Sequence, residues 1–273
     1  MKRIILLVCL FAYTVLTEAQ TSQNSLSLSW GMGHIMRQDL SASPFIHEKW
    51  SPANMLLCYS RTKKLDQLID VKFSLYKPSI VEPYSFNSYY YGGAQIGLAH
   101  SFTLIDINYA IGKSVLERNQ WKLVLGGKSR NHIYASNYNF GASGPSPMLI
   151  SFGLDFWLKL KYTLNDKHYF ISNLSIPLFS FIYRDPYLLQ DDQFFENIYS
   201  HNGLKEFANR VSDGQLQSWG TSQRFDFEVQ YGYVINKRWD IGIRYLLAMN
   251  FNQSPTRFSQ IENVIYISGK IKF

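Results

Sequence analysis

After Gln20, apolar and polar residues alternate at every second position through most of the chain, the period of a strand with one oily and one wet face. From Arg224 to Val234, Phe225, Phe227, Val229, Tyr231 and Tyr233 share one face, and Arg224, Asp226, Glu228, Gln230 and Gly232 share the other. The pattern repeats from Trp239 to Phe251. It returns at the C-terminus, where Ile265, Ile267, Ile271 and Phe273 oppose Glu262, Ser268, Lys270 and Lys272. Read along the whole chain, it predicts ten strands near 24–34, 54–63, 67–77, 88–113, 120–134, 148–164, 168–183, 223–235, 238–252 and 259–273.

The connections alternate in length. Long ones cover 35–53, 78–87, 135–147, 184–222 and 253–258; short ones cover 64–66, 114–119, 165–167 and 236–237. A soluble sandwich also alternates along its strands, but short turns at one end, long loops at the other and an even strand number describe a transmembrane barrel. The expected fold is therefore all-β, an antiparallel up-and-down transmembrane β-barrel of about ten strands, with 184–222 as a partly helical extracellular loop. Segment 88–113 is longer than the roughly 9–11 residues a bilayer crossing needs, and its apolar parity flips near residue 103. A bulge, a passage from water into lipid or a hidden turn would each flip it, and a hidden turn would raise the strand count to twelve.

Composition agrees. Of 273 residues 46% are hydrophobic and 16% aromatic, yet no stretch after Gln20 reaches the roughly 20 apolar residues of a membrane helix. Rings fall near both ends of the strands: Tyr89, Tyr90, Tyr91, Tyr134, Tyr138, Tyr183 and Tyr187 near the long loops, Trp121, Trp239 and Phe273 near the short turns. They are candidate interface girdles. The net charge of +7 arises from 27 scattered Lys and Arg with no dense basic run, so a nucleic-acid partner is not expected. Lys2 and Arg3, the apolar run Ile4–Leu16 and the exit Thr17-Glu18-Ala19 read as a cleaved export signal over 1–19, leaving 20–273 as one barrel domain. Cys58 is then the sole cysteine, so no internal disulfide supports the fold.

The export signal, the ten alternating segments and the C-terminal run from Val264 to Phe273 together resemble the outer-membrane β-barrel proteins of Gram-negative bacteria. The resemblance implies residence in the outer membrane, contact with its lipid and recognition by the barrel-assembly machinery. The assembly signal falls on Phe273, Ile271 and Ile267, with Gly269 departing from the family's apolar pattern. It implies no activity, because an architecture hosts many functions.

Candidate chemistry is sparse. The inward face collects charge, and hairpin parity places Glu228 opposite or diagonal to Arg244 and Asp240 opposite Lys270, as lumen ion pairs. A lumen of this strand number should be plugged or very narrow. Gly112-Lys113-Ser114 and Gly127-Lys128-Ser129 lack the leading glycine of a phosphate loop, whose positions hold Ile107 and Lys122. His47-Glu48 has Ser51 where a helical zinc site needs a second His, so neither metal nor cofactor is expected. Ser200-His201-Asn202-Gly203 contains the residue types of outer-membrane phospholipases in a different order, and no catalytic role is carried over.

Pairing around 114–119 would bring His100, beside Ser101, close to His132, a candidate rim catalytic cluster with no third orienting carboxylate. The long segment 184–222 carries two helical patterns, the first after Asp185-Pro186 and the second over Leu204, Phe207, Ala208 and Val211. Its candidate binding residues are Asp191, Asp192, Phe195, Glu196, Tyr199, His201 and Trp219. The function expected is a non-enzymatic surface-binding or complex-forming role, with a protein or surface ligand at the long loops. The alternatives are a rim hydrolase acting on lipid or peptide and a narrow solute pathway.

Overall fold

In a computed structural model, described over residues 23–78, 84–88, 92–97, 99–139, 147–185 and 203–273, the alternating segments become thirteen strands and one helix. The strands are β1 (Gln23–Asp39), β2 (Ser43–Thr62), β3 (Asp66–Tyr76), β4 (Tyr84–Ser88), β5 (Gly93–Gly97), β6 (Ser101–Arg118), β7 (Trp121–Asn137), β8 (Met148–Thr163), β9 (His168–Arg184), β10 (Gln215–Ser218), β11 (Ser222–Val234), β12 (Trp239–Asn252) and β13 (Phe258–Lys272). The helix α1 spans Gly203–Ser212. The export signal over 1–19 lies outside the described residues.

Ten strands close into an antiparallel ring in the order β1, β2, β3, β6, β7, β8, β9, β11, β12, β13 and back to β1. Closure leaves the ring without an open edge, so each of its ten strands has a paired neighbour on both sides. At the seam Asn24 and Phe273 exchange backbone hydrogen bonds of 3.1 and 3.0 Å, placing the C-terminal residue on the closing strand. β10 pairs only with the far end of β9, outside the ring.

The predicted strand 88–113 does not exist as one strand. Its first part, β5, pairs with β4 in a separate two-stranded hairpin, and only β6 crosses the barrel, so the count stays at ten. The parity flip marks the passage from one sheet to another, which need not share a facing direction. The loop expected at 35–53 is also corrected: β1 and β2 run on as a paired hairpin to Asp39 and Ser43 and project past the lipid band. The turn expected at 114–119 is two residues, Asn119 and Gln120, with Asn119 at φ 52°. Two other short turns are held by asparagine: Asn165 Oδ1 accepts from the Lys167 and His168 amides at 3.0 and 2.9 Å, and Asn236 Oδ1 from Arg238 and Trp239 at 2.8 and 2.9 Å.

Parity sorts the side chains. Leu28, Trp30, Ile243 and Ile267 point outward, between 55 and 70% exposed, while Ser29, Lys72, Asp106, Asp155 and Glu262 are buried inside. On β1 the outward apolar band runs from Leu26, level with Tyr59, to His34, which packs on Trp50 with ring centroids 4.9 Å apart. Those nine residues match the height of a bilayer crossing. Trp121, packed 4.4 Å from Tyr162, and the half-exposed Trp239 ring the short-turn end. The girdle expected at the other end is different: Tyr134 and Tyr138 are buried because they share lumen parity with Arg130 and His132, and Tyr183, on the outward face of β9 opposite Ile150, is buried beneath Arg210 of α1. Trp50 and His34 occupy that level instead, and Tyr89, Tyr90, Tyr91 and Tyr187 lie outside the described residues.

Candidate functional site

The lumen is built in layers. At mid-height Lys72 Nζ bridges Glu262 at 2.5 Å and Asp106 at 2.9 Å, and Tyr76 donates to the other Glu262 oxygen at 2.9 Å. Arg224 continues the chain, reaching Asp106 and Asp226 at 3.1 Å each and the Tyr134 hydroxyl at 2.7 Å. Arg130 ends it on Asp155 at 2.9 Å. Glu228 and Gln230 project inward beside Arg244; in register Gln230 faces Arg244, so Glu228 is its diagonal neighbour, with 3.6 Å between charged atoms. Asp240 faces Lys270 in register but makes its ion pair with Lys272, at 2.7 Å.

Above this network sits a buried layer of Ile35, Phe102, Leu104, Tyr138, Leu149 and Phe258. The Arg37 guanidinium lies between the Phe102 and Phe258 rings, 4.8 and 4.9 Å from their centroids. Arg184 reaches across the mouth to Asp39 and to the Thr256 carbonyl, tying β9 to the β1 end and to the connection between β12 and β13. Asp185 accepts from Arg210 at 2.9 and 3.0 Å, from the Met148 amide at 2.7 Å and from the Tyr183 hydroxyl. That clamp seats α1 on β9.

The rim cluster of His100, Ser101 and His132 is not assembled. β6 and β7 pair with Ser101 opposite Asn137 and Asp106 opposite His132, so His132 sits six positions from His100, about 20 Å along the strands. The two-residue turn, with the one-residue bulge between Ser114 and Leu116, sets this register. Strand alternation also sends Ser101 to the opposite face from His100, toward Asn137, whose side-chain amide donates to it at 3.2 Å. His100 instead accepts from the Asn139 amide at 2.9 Å and packs beside His47, ring centroids 5.1 Å apart. Ser43 Oγ and His47 Nε2 meet at 3.0 Å, but both are fully buried against Phe102 and Tyr138, where a substrate carbonyl has no approach.

Of the residues expected to bind on the long segment, Asp191, Asp192, Phe195, Glu196, Tyr199 and His201 lie outside the described residues. Trp219 follows β10 and is 58% exposed, with Leu216 at 71% and Leu204 on α1 at 84%. The second helical pattern is α1 itself, which begins at Gly203. Reading 35–53 as a loop concealed Arg37, Asp39 and His47. The signal that could have found them is that Arg37 and Asp39 continue the inward parity of Ser29, Gly31 and Gly33.

These mouth residues lie beyond the lipid band and make the mouth sensitive to acid. Burial, with the charges of His100 and Arg37 nearby, pushes His47 down to about 4 from an ordinary 6.5. Burial alone lowers His100. Burial would raise Asp39, but Arg184 and Arg37 outweigh it and hold the carboxyl below its ordinary value. His47 binds its proton more readily unfolded than folded. Its stabilisation is therefore complete above pH 6.5 and is lost as pH falls from 6.5 to about 4, a change on the order of 3 kcal/mol. Asp39, held below its ordinary value, begins to lose its own stabilisation only at the acid end of that window. Denaturant midpoints of the detergent-solubilised protein should fall between pH 7 and 4, and His47→Phe should flatten that slope; an equal slope in the variant would place the acid sensitivity elsewhere.

Among family models and curated protein sequences, nothing matches the chain. Solved structures do. The outer membrane protease OmpT from Escherichia coli aligns over 93% of this chain and 98% of its own at 6% identity, with a TM-score of 0.53. Neisserial surface protein A aligns over 93% and 100% at 9% identity with a TM-score of 0.32, and the Pseudomonas putida toluene transporter TodX over 94% and 91% at 9% with 0.35. At such identities the likeness to OmpT speaks for the fold alone: the chain has the architecture of the Gram-negative outer-membrane β-barrels, here with ten strands closed into one ring.

Proposed function

We propose that the protein resides in the outer membrane with its long-loop end outward, and that this end binds a protein or surface ligand without catalysing a reaction. On this reading the short turns, the start of β1 and Phe273 face the periplasm, and Phe273, Ile271 and Ile267 are the assembly signal, with Ile267 70% exposed on the lipid face. The observation that carries the binding role is a braced platform over a filled lumen. Arg184 and Arg210 tie β1, β9, α1 and the β12–β13 connection together above the buried Phe102 and Tyr138 layer, and α1, β10 and the turn after it expose Leu204, Leu216 and Trp219. Large apolar side chains on a rigid surface outside the lipid band favour a partner that covers them.

A photo-crosslinking amino acid at Trp219 in intact cells should capture a discrete adduct, weakened several-fold by Leu216→Asp. The same probe at Ile241, 51% exposed on the lipid face, should capture none beyond lipid. Absence of any adduct at 219 in correctly assembled protein, or a lipid-hydrolysing activity of the purified barrel, would overturn the binding reading.

A further inference from the structure

At the short-turn end the lumen opens into a polar cup of about 270 Å³, unconnected with the binding platform at the other mouth. Its wall carries six cationic side chains against four carboxylates. Most of that charge is already matched. Lys122 and Lys159 share Asp66 at 2.9 and 3.5 Å, Lys272 holds Asp240 at 2.7 Å, and Arg244 faces Glu228 at 3.6 Å.

Of the wall's carboxylates, Asp70 and Glu117 form no ion pair among the described residues; among the cations Lys161 and Lys270 are the exceptions. Both place their ammonium groups over the ring of Tyr169, 5.6 and 5.5 Å from its centroid, and among the described residues neither forms an ion pair with a carboxylate. The ring itself is anchored, its hydroxyl donating to Asp240 Oδ2 at 3.1 Å. Two like charges brought to one fixed ring repel each other, and the nearest carboxylate is already taken by Lys272 and Tyr169. A multiply charged anion in the cup would relieve that repulsion. The wall suits an oxyanion, since Ser25 and Ser60, hydrogen-bonded to each other at 2.7 Å, and Ser27 add hydroxyl groups to the ammoniums.

We propose that this cup is a binding site for a phosphate group, held by Lys161 and Lys270 together. Its source is a soluble phosphate or phosphomonoester, because the two lysines face the lumen and not the surrounding leaflet. The inference is independent of what the opposite mouth binds.

Equilibrium dialysis of radiolabelled inorganic phosphate against the whole protein in a nonionic detergent tests it. Saturable binding of one phosphate per barrel is expected, weakened about tenfold by Lys161→Gln or Lys270→Gln and retained in Lys270→Arg. Lys113→Gln, at an exposed lysine outside the cup, should bind as the parent does. Heat-modifiable migration in gels confirms that each variant is folded before it is titrated. Competition with a glycerol phosphate and with a short-chain phosphatidylglycerol below its micelle concentration separates the sources. Stronger competition by the lipid would overturn the soluble source, and stronger competition by the glycerol phosphate supports it. Absence of saturable binding, or binding unchanged in the Lys161→Gln/Lys270→Gln protein, would overturn the site.

Discussion

Lys72→Met is expected to lower the unfolding free energy of the barrel in lipid vesicles by about 3–5 kcal/mol, the cost of leaving buried charge uncompensated. Lys72 alone stands between Glu262 and Asp106, and both carboxylates are buried. Without it Asp106 still has Arg224 at 3.1 Å, but among the described residues Glu262 keeps only the Tyr76 hydroxyl. Glu262→Gln in the same chain should therefore restore much of the loss. Urea unfolding followed by fluorescence would measure all three variants. If the two single costs simply add in the double variant, the pair is not an energetic unit. The result also concerns function, since this network fills the lumen at mid-height and a weakened one should leak. A lumen that conducts in planar bilayers only after Lys72 is replaced would mark the network as the seal.

The second large effect is steric. Gly126 stands in register between Gly112 on β6 and Trp157 on β8, beside the buried cluster of Ala110, Val124 and Trp157. A β-carbon there would come 2.0 Å from the Ile111 carbonyl oxygen and 2.5 Å from Gly112 Cα. Both are backbone atoms, so no rotamer change relieves the overlap and the two strands must move apart. Gly126→Val should cost at least about 3 kcal/mol or block assembly outright, read as loss of the heat-modifiable folded band. The adjacent glycine is the control. A β-carbon on Gly127 would meet nothing nearer than the Asp155 carbonyl oxygen at 3.9 Å, so Gly127→Ala should change stability by no more than about 0.5 kcal/mol. Equal effects at both sites would refute the steric account.

The strands were legible because a period of two is a local property: each residue's face depends only on its neighbours in the chain. Phe225 and Phe227 read as one face and Arg224, Asp226 and Gln230 as the other from the sequence, and the barrel keeps that division, with Arg224, Asp226 and Gln230 buried inside. The turns at Asn165 and Asn236 were legible for the same reason, since a side chain capping its own loop needs no distant contact. That Glu228 lies opposite or diagonal to Arg244 followed from one short hairpin, and the register makes it diagonal.

Where two elements had to agree on a register, alternation alone was silent. The pattern could not separate β5 from β6, because strands of different sheets have the same period. Nor could it place His100 relative to His132, since a few residues' error in the turn slides every pair along the strands. Arg184 meeting Asp39, Lys72 meeting Glu262 and Arg224 meeting Asp106 join residues 118 to 190 positions apart. By itself, then, the amino-acid order determined which side chains turn toward lipid and which toward the lumen. Closure of the ring decided which of the inward charges meet, because that depends on distances across the barrel and not along the chain.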